Sequence, residues 1–340
     1  MGKNKLLFNK EYEDFYRMAE DNKIFSNYCT EVHGIDFSQD GYSDKKQIDE
    51  MLIIAGIQPG YKVLDIGCGN GKMGKYIAEK TGAIVYGFDY SENGIRCATK
   101  QAANNKNLNF EEGVIGEKEY PSDNFDVILS IDTLYYTLDM EGFVKQIHSW
   151  MKLGGVFLAF YSEGQLMTRS PNEKSTELAV ALDKCEASYM AIDYTRSHYE
   201  LLKHKREVIE TLKEKFLTNN MEFFYQSIIA TSIENTMSFE AFQEQYSRYL
   251  YVIRKEVKHA VISEEIVDEQ EDPVINLKIA QSEEESPSEE IPPVIPENMM
   301  GRNNPFQGNR MNMNRMNMNR NNMFRINPNQ RRQFNFRNFK

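Results

Sequence analysis

A glycine-rich loop with an acidic residue before it is the segment of the sequence most suited to chemistry. It runs from Asp65 to Lys72 and reads DIGCGNGK. Glycines let the backbone approach a ligand closely, and a helix N-terminus directly after such a loop favours negative groups. A dinucleotide-binding loop would be spaced G-x-G-x-x-G, whereas here the spacing is G-x-G-x-G and Lys72 stands in place of the third glycine. The carboxylate of Asp65 predicts a ligand that carries positive charge rather than a pyrophosphate.

A second carboxylate follows at a spacing typical of a riboside site. Asp89 stands 24 residues after Asp65, at the end of the apolar stretch VYGFD. A carboxylate in this place can accept hydrogen bonds from both hydroxyls of a ribose. It predicts a riboside without identifying the rest of the cofactor.

The elements that must position these residues are short apolar strands that alternate with amphipathic helices. Strands are predicted at 62–66, 83–88, 108–111, 125–130 and 155–161. This alternation predicts an α/β, doubly wound fold with a parallel sheet covered by helices on both faces. Sheets of this kind bind ligands outside the carboxyl ends of their strands. The loops after Ile66, Phe88, Ser130 and Tyr161 are therefore expected to form the site.

The motifs together resemble class I S-adenosylmethionine-dependent methyltransferases of the small-molecule type. VLDIGCGNG and VYGFDYS look like the first two motifs of that family, NFDVILSIDTLYY like its fourth-strand segment and MKLGGVFLAFYS like its fifth. The resemblance spans residues 60–162 and continues more weakly to about 256. It implies a mostly parallel, Rossmann-like sheet of seven strands, whose last two are expected at 222–231 and 248–253. It also implies S-adenosylmethionine as the cofactor.

By this resemblance, residues at the ends of the first four strands would hold the cofactor. The glycines would pack on its methionine part, Asp65 would lie near its ammonium group and Asp89 would bind its ribose. Relatives often place an Asp after the third strand to bind the adenine amino group; here that position is Val114. A nearby glutamate, or the backbone of Val114 and Ile115, would take that role. The predicted cofactor-binding residues are Asp65, Gly67, Cys68, Gly69, Asp89, Tyr90, Val114, Ile115 and Ser130.

The methyl acceptor is expected above the fourth strand, between a lead-in segment and a cap. The lead-in HGIDFSQDGY resembles the D-I-H-x-G-x-Y stretch of methyltransferases that act on glycine and sarcosine, with Gln39 in place of the His. About 35 residues between the fifth strand and a helix near His198 predict an ordered cap. Tyr136 and His198 are the catalytic candidates, although a lone histidine is more often structural. The candidates for the substrate pocket are Gln39, Tyr42, Asp132, Tyr135, Tyr136, Asp193 and Tyr194, and packing on the sheet is the alternative for each tyrosine.

Composition divides the chain of 340 residues into a domain and two unlike tails. A helical lead-in is expected at 1–43 and the methyltransferase domain at 44–262, with the cap inserted at about 163–196. Residues 263–300 hold 12 acidic residues and one Lys, and residues 301–340 hold eight Arg, one Lys and no acidic residue. The first segment predicts a disordered linker and the second a low-complexity tail rich in Asn, Arg, Met and Phe. Such a tail favours self-association or attachment to a surface, and single-stranded nucleic acid is the second alternative.

Several classes of protein are excluded by what the sequence lacks. No stretch reaches the ~18 consecutive apolar residues of a membrane span, and the N-terminus turns acidic before any long apolar run, unlike a signal peptide. The four cysteines are widely spread without a C-x-x-C pair, which predicts no metal site and a cytoplasmic location. The predicted function is methyl transfer to a small polar molecule through an amine or a hydroxyl. The alternatives are an RNA or protein methyltransferase recruited by the basic tail, and a non-catalytic scaffold that keeps the cofactor fold.

Overall fold

A single mixed sheet organises the computed structural model, which describes residues 9–164 and 167–256. The order of its strands is β3-β2-β1-β4-β5-β7-β6. The strands are β1 (Lys62–Ile66), β2 (Ile84–Asp89), β3 (Leu108–Glu112), β4 (Phe125–Ile131), β5 (Met151–Glu163), β6 (Tyr189–Asp193) and β7 (Ser247–Arg254). The first five run parallel, whereas β7 is antiparallel to β5 and β6 is antiparallel to β7. The predicted doubly wound, mostly parallel sheet of seven strands is confirmed.

Helices precede, separate and follow these strands. They are α1 (Asn9–Ala19), α2 (Lys23–His33), α3 (Lys45–Ala55), α4 (Lys72–Thr81), α5 (Glu92–Ala102), α6 (Met140–Trp150), α7 (Glu177–Lys184), α8 (Thr195–Thr211), α9 (Lys213–Thr218), α10 (Glu222–Ala230) and α11 (Phe239–Gln243). A short 3-10 helix, Leu134–Tyr136, follows β4. Capping residues mark where helices begin. Ser91, a residue type that favours helix N-termini, precedes α5, and its hydroxyl accepts a hydrogen bond from the backbone N–H of Gly94 at 3.0 Å.

Two apolar clusters cover the two faces of the sheet. One contains buried residues of α3 and α4 such as Met51 and Ile77, packed with strand residues such as Val85. The other contains Trp150 of α6 and Leu178 of α7, also packed with strand residues. Because both faces are covered, the central strands are buried nearly along their whole length and read as continuous apolar runs.

A third apolar cluster joins helices from both ends of the described chain. It combines buried residues of α1 and α2 with residues of α8, α9 and α10. Phe25 of α2 stacks on Phe224 of α10 with ring centroids 4.4 Å apart, and Tyr28 meets Phe216 of α9 edge-on. We call these five helices the helical layer. The lead-in therefore folds together with helices that lie about 180 residues further along the chain.

The strand expected at 222–231 in the second half of the chain is wrong. Residues 222–230 form α10 instead of a strand, because Phe224 and Ile228 lie one helical turn apart and are both buried. The sixth strand is β6, which lies inside the segment expected to be a cap and pairs with β7 at the edge of the sheet. In the same segment, α7 packs into the apolar cluster on one face of the sheet. The domain boundaries themselves remain a prediction.

The segments 263–300 and 301–340, for which a linker and a tail are predicted, lie outside the described residues. Among the helices within 9–164 and 167–256, none combines the length and the apolar character that crossing a membrane requires.

Candidate functional site

The glycine loop after β1 is in close contact with two other segments. Gly67 and Gly69 have φ angles of +74° and +53°, in the left-handed region that favours glycine. A Cβ atom on Gly67 would lie 2.5 Å from Cγ2 of Thr133, beside β4. A Cβ atom on Gly69 would lie 2.5 Å from Nε2 of Gln39 and would also collide with the hydroxyl of Tyr16. Any larger residue at these positions would push away the turn after β4 or the lead-in.

The carboxylate of Asp65 is buried at the end of β1 with one oxygen unused. Its Oδ2 atom has no hydrogen-bond partner among the described residues. Burial, and secondarily the negative charge of Asp89, raises the pKa of Asp65 to about 7. A buried acceptor without a donor is costly, and a positively charged donor would relieve that cost. An ammonium group is the kind of ligand that this carboxylate fits.

The carboxylate of Asp89 lies at the end of β2, facing the glycine loop. It accepts hydrogen bonds from the backbone N–H of Gly69 at 3.0 Å and of Ser91 at 2.9 Å. Burial raises the pKa of Asp89 to about 6, and these hydrogen bonds oppose the rise. Neither carboxylate forms an ion pair within the described residues. Together, at neighbouring strand ends, they favour a cofactor with a cationic part and hydroxyl donors.

The other predicted cofactor residues surround these two carboxylates or follow β3. Cys68 is buried in the glycine loop, and the half-buried ring of Tyr90 meets that of Tyr12 edge-on at 6.3 Å. Ser130 is buried at the end of β4 and shares a hydrogen bond with Thr133. Val114 and Ile115 lie half-buried in the loop after β3, which the backbone of Gly113 ties to the carbonyl of Asp89 at 2.9 Å.

The turn after β4 is fastened both to the glycine loop and to β7. The hydroxyl of Thr133 donates to the carbonyl of Ile66 at 2.9 Å, so this turn adjoins the glycine loop, which we also call the cofactor loop. Its neighbour Asp132 has a φ of +59° and receives two hydrogen bonds from the guanidinium of Arg248, one of them at 2.9 Å. The hydroxyl of Tyr135 donates to the same carboxylate at 2.8 Å. A polar surface is thereby held beside the place where the cofactor loop ends.

Tyrosine hydroxyls line the side of this turn that faces the lead-in. The hydroxyls of Tyr136 and Tyr12 are 2.7 Å apart, and their rings meet edge-on. Burial, followed by the nearness of Tyr12, raises the pKa of Tyr136 well above its usual value. Burial together with Asp40 does the same for Tyr42, and burial together with Asp132 for Tyr135. These phenols remain neutral donors and acceptors and do not act as bases.

His198, a predicted catalytic candidate, lies completely buried on α8. Its ring meets that of Tyr42 edge-on at 5.2 Å, and neither ring nitrogen has a hydrogen-bond partner among the described residues. Burial, and then the positive charges of Arg248 and Lys205, lower the pKa of His198 well below its usual value. The ring is therefore a neutral, fully buried polar group with both nitrogens unpaired among the described residues.

Two of the predicted pocket residues are committed to other partners. Asp193 is exposed, and its carboxylate accepts from the backbone N–H of Thr195 at 2.7 Å, at the start of α8. Tyr194 packs against Phe160, and its hydroxyl donates to Glu50 of α3 at 2.9 Å. We assign both side chains to the framework of the fold. Gln39 lies beside Gly69 and Tyr42 beside His198. Asp132, Tyr135 and Tyr136 belong to the turn after β4, which Thr133 ties to Ile66.

Several residues of the site were missed at the level of sequence. Tyr12 and Tyr16 lie one turn apart on α1, a spacing that places them on one face. Arg248 is fully buried. It is the single charged residue inside the apolar run SRYLYVI, and a lone charge in such a run is a sequence signal for a buried charged residue. Lys205 is fully buried against Asp40 at 2.8 Å, although the segment around it, YELLKHKREVIE, is rich in charged residues.

Metal ligands do not come together in the part of the chain that the structure describes. There, no group of three or more His, Cys, Asp or Glu side chains lies close enough to hold an ion.

Comparison with known proteins identifies one domain within the chain. Residues 57–215 match the family model of a methyltransferase domain. Phosphoethanolamine N-methyltransferase 3 of Arabidopsis thaliana is 31% identical over 212 residues, which are 56% of this chain and 41% of that protein. Sterol 24-C-methyltransferase erg6 of Aspergillus fumigatus is 35% identical over 105 residues, 30% of this chain and 28% of that protein.

Residues 57–215 are a class I S-adenosylmethionine-dependent methyltransferase domain.

Solved structures agree with this domain in fold. Phosphoethanolamine N-methyltransferase 2 of Haemonchus contortus, in complex with phosphomonomethylethanolamine and S-adenosylhomocysteine, superposes with a TM-score of 0.58 at 19% identity and covers 72% of this chain and 60% of that one. The [4+2]-cyclase SpnF superposes with a TM-score of 0.52 at 14% identity, covering 72% of this chain and 97% of that one. The chain spans less than half the length of the curated relatives named above.

The residues of the domain fit its cofactor, S-adenosylmethionine. The unused oxygen of Asp65 suits the ammonium group of the methionine part, and Asp89 suits the ribose hydroxyls. The glycines leave the loop open to close approach. When bound, the cofactor supplies a methyl group activated by positively charged sulfur.

Proposed function

We propose that the chain transfers the methyl group of S-adenosylmethionine to the nitrogen of a small polar amine. The observation that carries this proposal is the tyrosine-lined turn after β4, joined to the cofactor loop through Thr133 and Ile66. This turn offers a face of aromatic rings and hydroxyls directly beside the cofactor loop. Aromatic faces attract the positive charge that develops on an amine nitrogen as it receives the methyl group, and phenolic oxygens accept hydrogen bonds from its N–H groups.

An amine is favoured over a hydroxyl because the described residues of this face include no suitable base. A hydroxyl acceptor must lose its proton to a group whose pKa lies near the working pH. The phenols of Tyr42, Tyr135 and Tyr136 have raised pKa values and hold their protons. His198, with its lowered pKa, is a poor proton acceptor. An amine, by contrast, can react in its neutral form without a protein base once the enzyme has aligned it.

The polar end of the acceptor would meet unused hydrogen-bonding groups deeper in the site. Both ring nitrogens of His198 and the Nε atom of Arg248 are buried without a partner among the described residues. Buried polar groups of native proteins are generally satisfied, so a ligand or ordered water is expected there. A molecule with an amine at one end and a polar group at the other would satisfy both parts of the site.

Alignment and exclusion of water are the contributions expected from the protein. Helix α1 of the helical layer borders the site, because Tyr12 reaches the hydroxyl of Tyr136 and Tyr16 lies against Gly69. Enclosure strengthens the electrostatic interactions inside and keeps water from competing with the acceptor. The reaction then depends mainly on holding the amine nitrogen in line with the methyl group.

The test is a transfer assay on the full chain with radiolabelled S-adenosylmethionine. The acceptors are ethanolamine, phosphoethanolamine, glycine, sarcosine, a catechol, a sterol, bulk RNA and a mixed protein extract. We expect label on one of the small amines, with the methylated nitrogen identified by mass spectrometry. Label only on oxygen or carbon, only on RNA or protein, or on nothing while the cofactor still binds, would each contradict the proposal.

Matched variants connect the activity to the tyrosine-lined turn. Tyr136→Phe removes one hydroxyl of the Tyr12 pair and should lower kcat/KM for the amine about tenfold, the effect of one lost hydrogen bond. Tyr120→Phe is the control, because its hydroxyl binds Glu111 at 2.9 Å on the strand next to β2. Equal activities of the two variants would show that the hydroxyl of Tyr136 does not contribute to binding or orienting the acceptor.

We also propose that the basic tail at 301–340 acts by self-association or surface attachment, with single-stranded nucleic acid as the second alternative. The composition of the tail supports this, since arginine and phenylalanine are interspersed among asparagines. We propose a cytoplasmic location as well, supported by the free thiols of Cys29, Cys68, Cys97 and Cys185. Retention of the full chain on immobilised RNA that falls steeply with salt would favour nucleic acid over self-association.

A further inference from the structure

Lys72, which stands in place of the third glycine of a dinucleotide loop, binds the lead-in instead of facing the glycine loop. Its Nζ atom lies 2.7 Å from Oδ2 of Asp36 and 2.6 Å from the hydroxyl of Ser38. The side chains of Lys72 and Asp36 are 29% and 24% exposed, so the pair is largely withdrawn from solvent. We call residues 34–44, which join α2 to α3, the strap.

Asn70, two residues before Lys72 in the glycine loop, also binds the strap. The side-chain amide of Asn70 donates to the carbonyls of Phe37 at 2.8 Å and Ser38 at 3.2 Å. Ser38 has a φ of +47°, a conformation held by hydrogen bonds from its N–H and hydroxyl to Asp36 at 2.7 and 2.8 Å. Although burial opposes it, the hydrogen bonds from Lys72, Ser26 and Ser38 hold the pKa of Asp36 below its usual value. The contact is thus made by an ionised carboxylate.

The consequence of these contacts appears at the next residue of the strap. Gln39 follows Ser38, and its Nε2 atom would lie only 2.5 Å from a Cβ atom placed on Gly69. The strap therefore crosses directly over the glycine that adjoins Asp89, whose carboxylate accepts the Gly69 N–H. A cofactor held by Asp65 and Asp89 would have this part of the strap over it.

The far end of the strap is held by two further cations. Lys205 of α8 lies 2.8 Å from Oδ1 of Asp40, and Arg248 of β7 donates to the hydroxyl of Ser43 at 2.6 Å. Both of these cations are fully buried. Lys72 is the most exposed of the three, and it alone belongs to the segment that forms the cofactor loop. The part of the strap that Lys72 binds, around Asp36 and Ser38, is therefore the part best placed to open and close.

We propose that Lys72 is a positioning residue for cofactor retention: by binding Asp36 and Ser38 it holds the strap closed over the cofactor loop and slows the release of S-adenosylmethionine and S-adenosylhomocysteine. The inference rests on the cofactor of the domain and does not depend on which acceptor is methylated. Lys72 acts through the strap and does not itself contact the reacting atoms.

The experiment measures S-adenosylhomocysteine binding to the full chain by stopped-flow fluorescence. Lys72→Met should raise the dissociation rate constant about tenfold, with the association rate constant changed less than about threefold, since ligand residence usually changes through dissociation. Lys72→Arg, which retains the charge and reach, should restore most of the retention. Lys75→Met is the matched control, because Lys75 lies on the same helix and pairs only weakly, at 3.9 Å, with Glu79.

Asp36→Asn separates the strap from a direct effect of Lys72 on the cofactor. If the strap transmits the effect, Asp36→Asn should raise the dissociation rate like Lys72→Met, and the double variant should add little to either. Backbone hydrogen exchange of residues 34–44 with S-adenosylhomocysteine bound should be faster in both variants and unchanged in Lys75→Met. Normal release from Asp36→Asn alongside fast release from Lys72→Met would overturn the proposal, as would wild-type release from both. A thermal melt of each variant shows whether it is folded. If Lys72→Met does not fold, the dissociation rates of Asp36→Asn and Ser38→Ala test the proposal instead.

Discussion

Arg248 on β7 binds the carboxylate of Asp132 with both terminal nitrogens of its guanidinium, so the turn after β4 is tied to a strand that follows it by more than a hundred residues. Arg248 is fully buried, and the side chain of Asp132 is only 9% exposed. The same guanidinium also reaches Ser162 of β5 and Ser43 of the strap. One side chain thus joins two strand ends, the acceptor-side turn and the lead-in.

Removing this guanidinium should strongly destabilise the fold. Arg248→Met leaves the buried Asp132 carboxylate without its partner, and the free energy of unfolding should fall by about 3–5 kcal/mol. Adding Asp132→Asn removes the stranded charge and should recover part of the loss. Urea denaturation of the single and double variants measures both effects. Lys145→Met, which breaks an exposed pair with Glu141, is the control and should leave the free energy of unfolding nearly unchanged. Equal losses in Arg248→Met and the control would show that the buried pair does not stabilise the fold.

Cofactor affinity should rise with pH between about 5.5 and 8. The pKa of Asp65 in the free protein is about 7, and an ammonium ligand binds its ionised form. Below that pH, binding must first remove a proton from Asp65, and this reduces the affinity. Titration calorimetry in buffers of different ionisation enthalpy should detect proton release from the protein at pH 6. Asp65→Asn should bind more weakly and lose most of this pH dependence; an unchanged pH profile in the variant would assign the proton to another group.

The stability of the free protein should respond to pH in the direction opposite to that of a salt-bridged carboxylate. The folded-state pKa of Asp65, about 7, lies above the value of about 3.9 expected in the unfolded chain. Between these two values the folded state binds more protons, so unfolding releases protons and the free energy of unfolding falls as pH rises. Asp89, with a pKa of about 6, adds to the same trend. Relative to wild type, Asp65→Asn should therefore be more stable at pH 7.5 than at pH 4.5, as measured by urea denaturation at both values. A wild-type-to-variant difference that is constant across this range would contradict the raised pKa.

Two glycine substitutions should separate backbone strain from steric displacement. Gly69→Ala and Gly60→Ala both place a Cβ atom on a residue with positive φ, and each should lose about 1–2 kcal/mol of stability. Only Gly69→Ala adds a collision, with Gln39 and Tyr16, whereas a Cβ atom on Gly60 meets nothing within 4 Å. Cofactor affinity should therefore fall at least about tenfold further in Gly69→Ala. Equal affinities, measured by calorimetry, would mean that the lead-in does not contact this loop in solution.

The cofactor half of the site is predictable from the sequence because its residues follow one another closely. Asp65 and the glycines belong to one loop, and Asp89 ends the next strand, so short-range pattern and the geometry of parallel sheets place them together. Their exposure and hydrogen-bonding in the structure agree with that arrangement. Local pattern was sufficient here because each interaction is set by a single strand–loop–helix unit.

The acceptor half was less predictable because it depends on contacts between distant segments. Arg248 and Lys205 find their partners 116 and 165 positions away, Asp132 and Asp40. Neither pairing leaves a periodic signal in the sequence. The strand expected at 222–231 followed from the family resemblance, and its short apolar run fits either periodicity, so that only packing against the helical layer decides for a helix.

The helical layer also has a consequence for how acceptor preference can change. Its members come from two stretches, 9–33 and 195–230, that share one apolar cluster although six of the seven strands, β1 to β6, lie between them in the chain. A chimaera that imports one stretch from a relative would set foreign rings against Phe25 or Phe224 and lose the fit between them. Exchange of both stretches together preserves that fit and leaves the cofactor loop of the host intact. If the proposed acceptor site is enclosed by the helical layer, the two stretches must be exchanged together, because recombination at a single crossover point separates them.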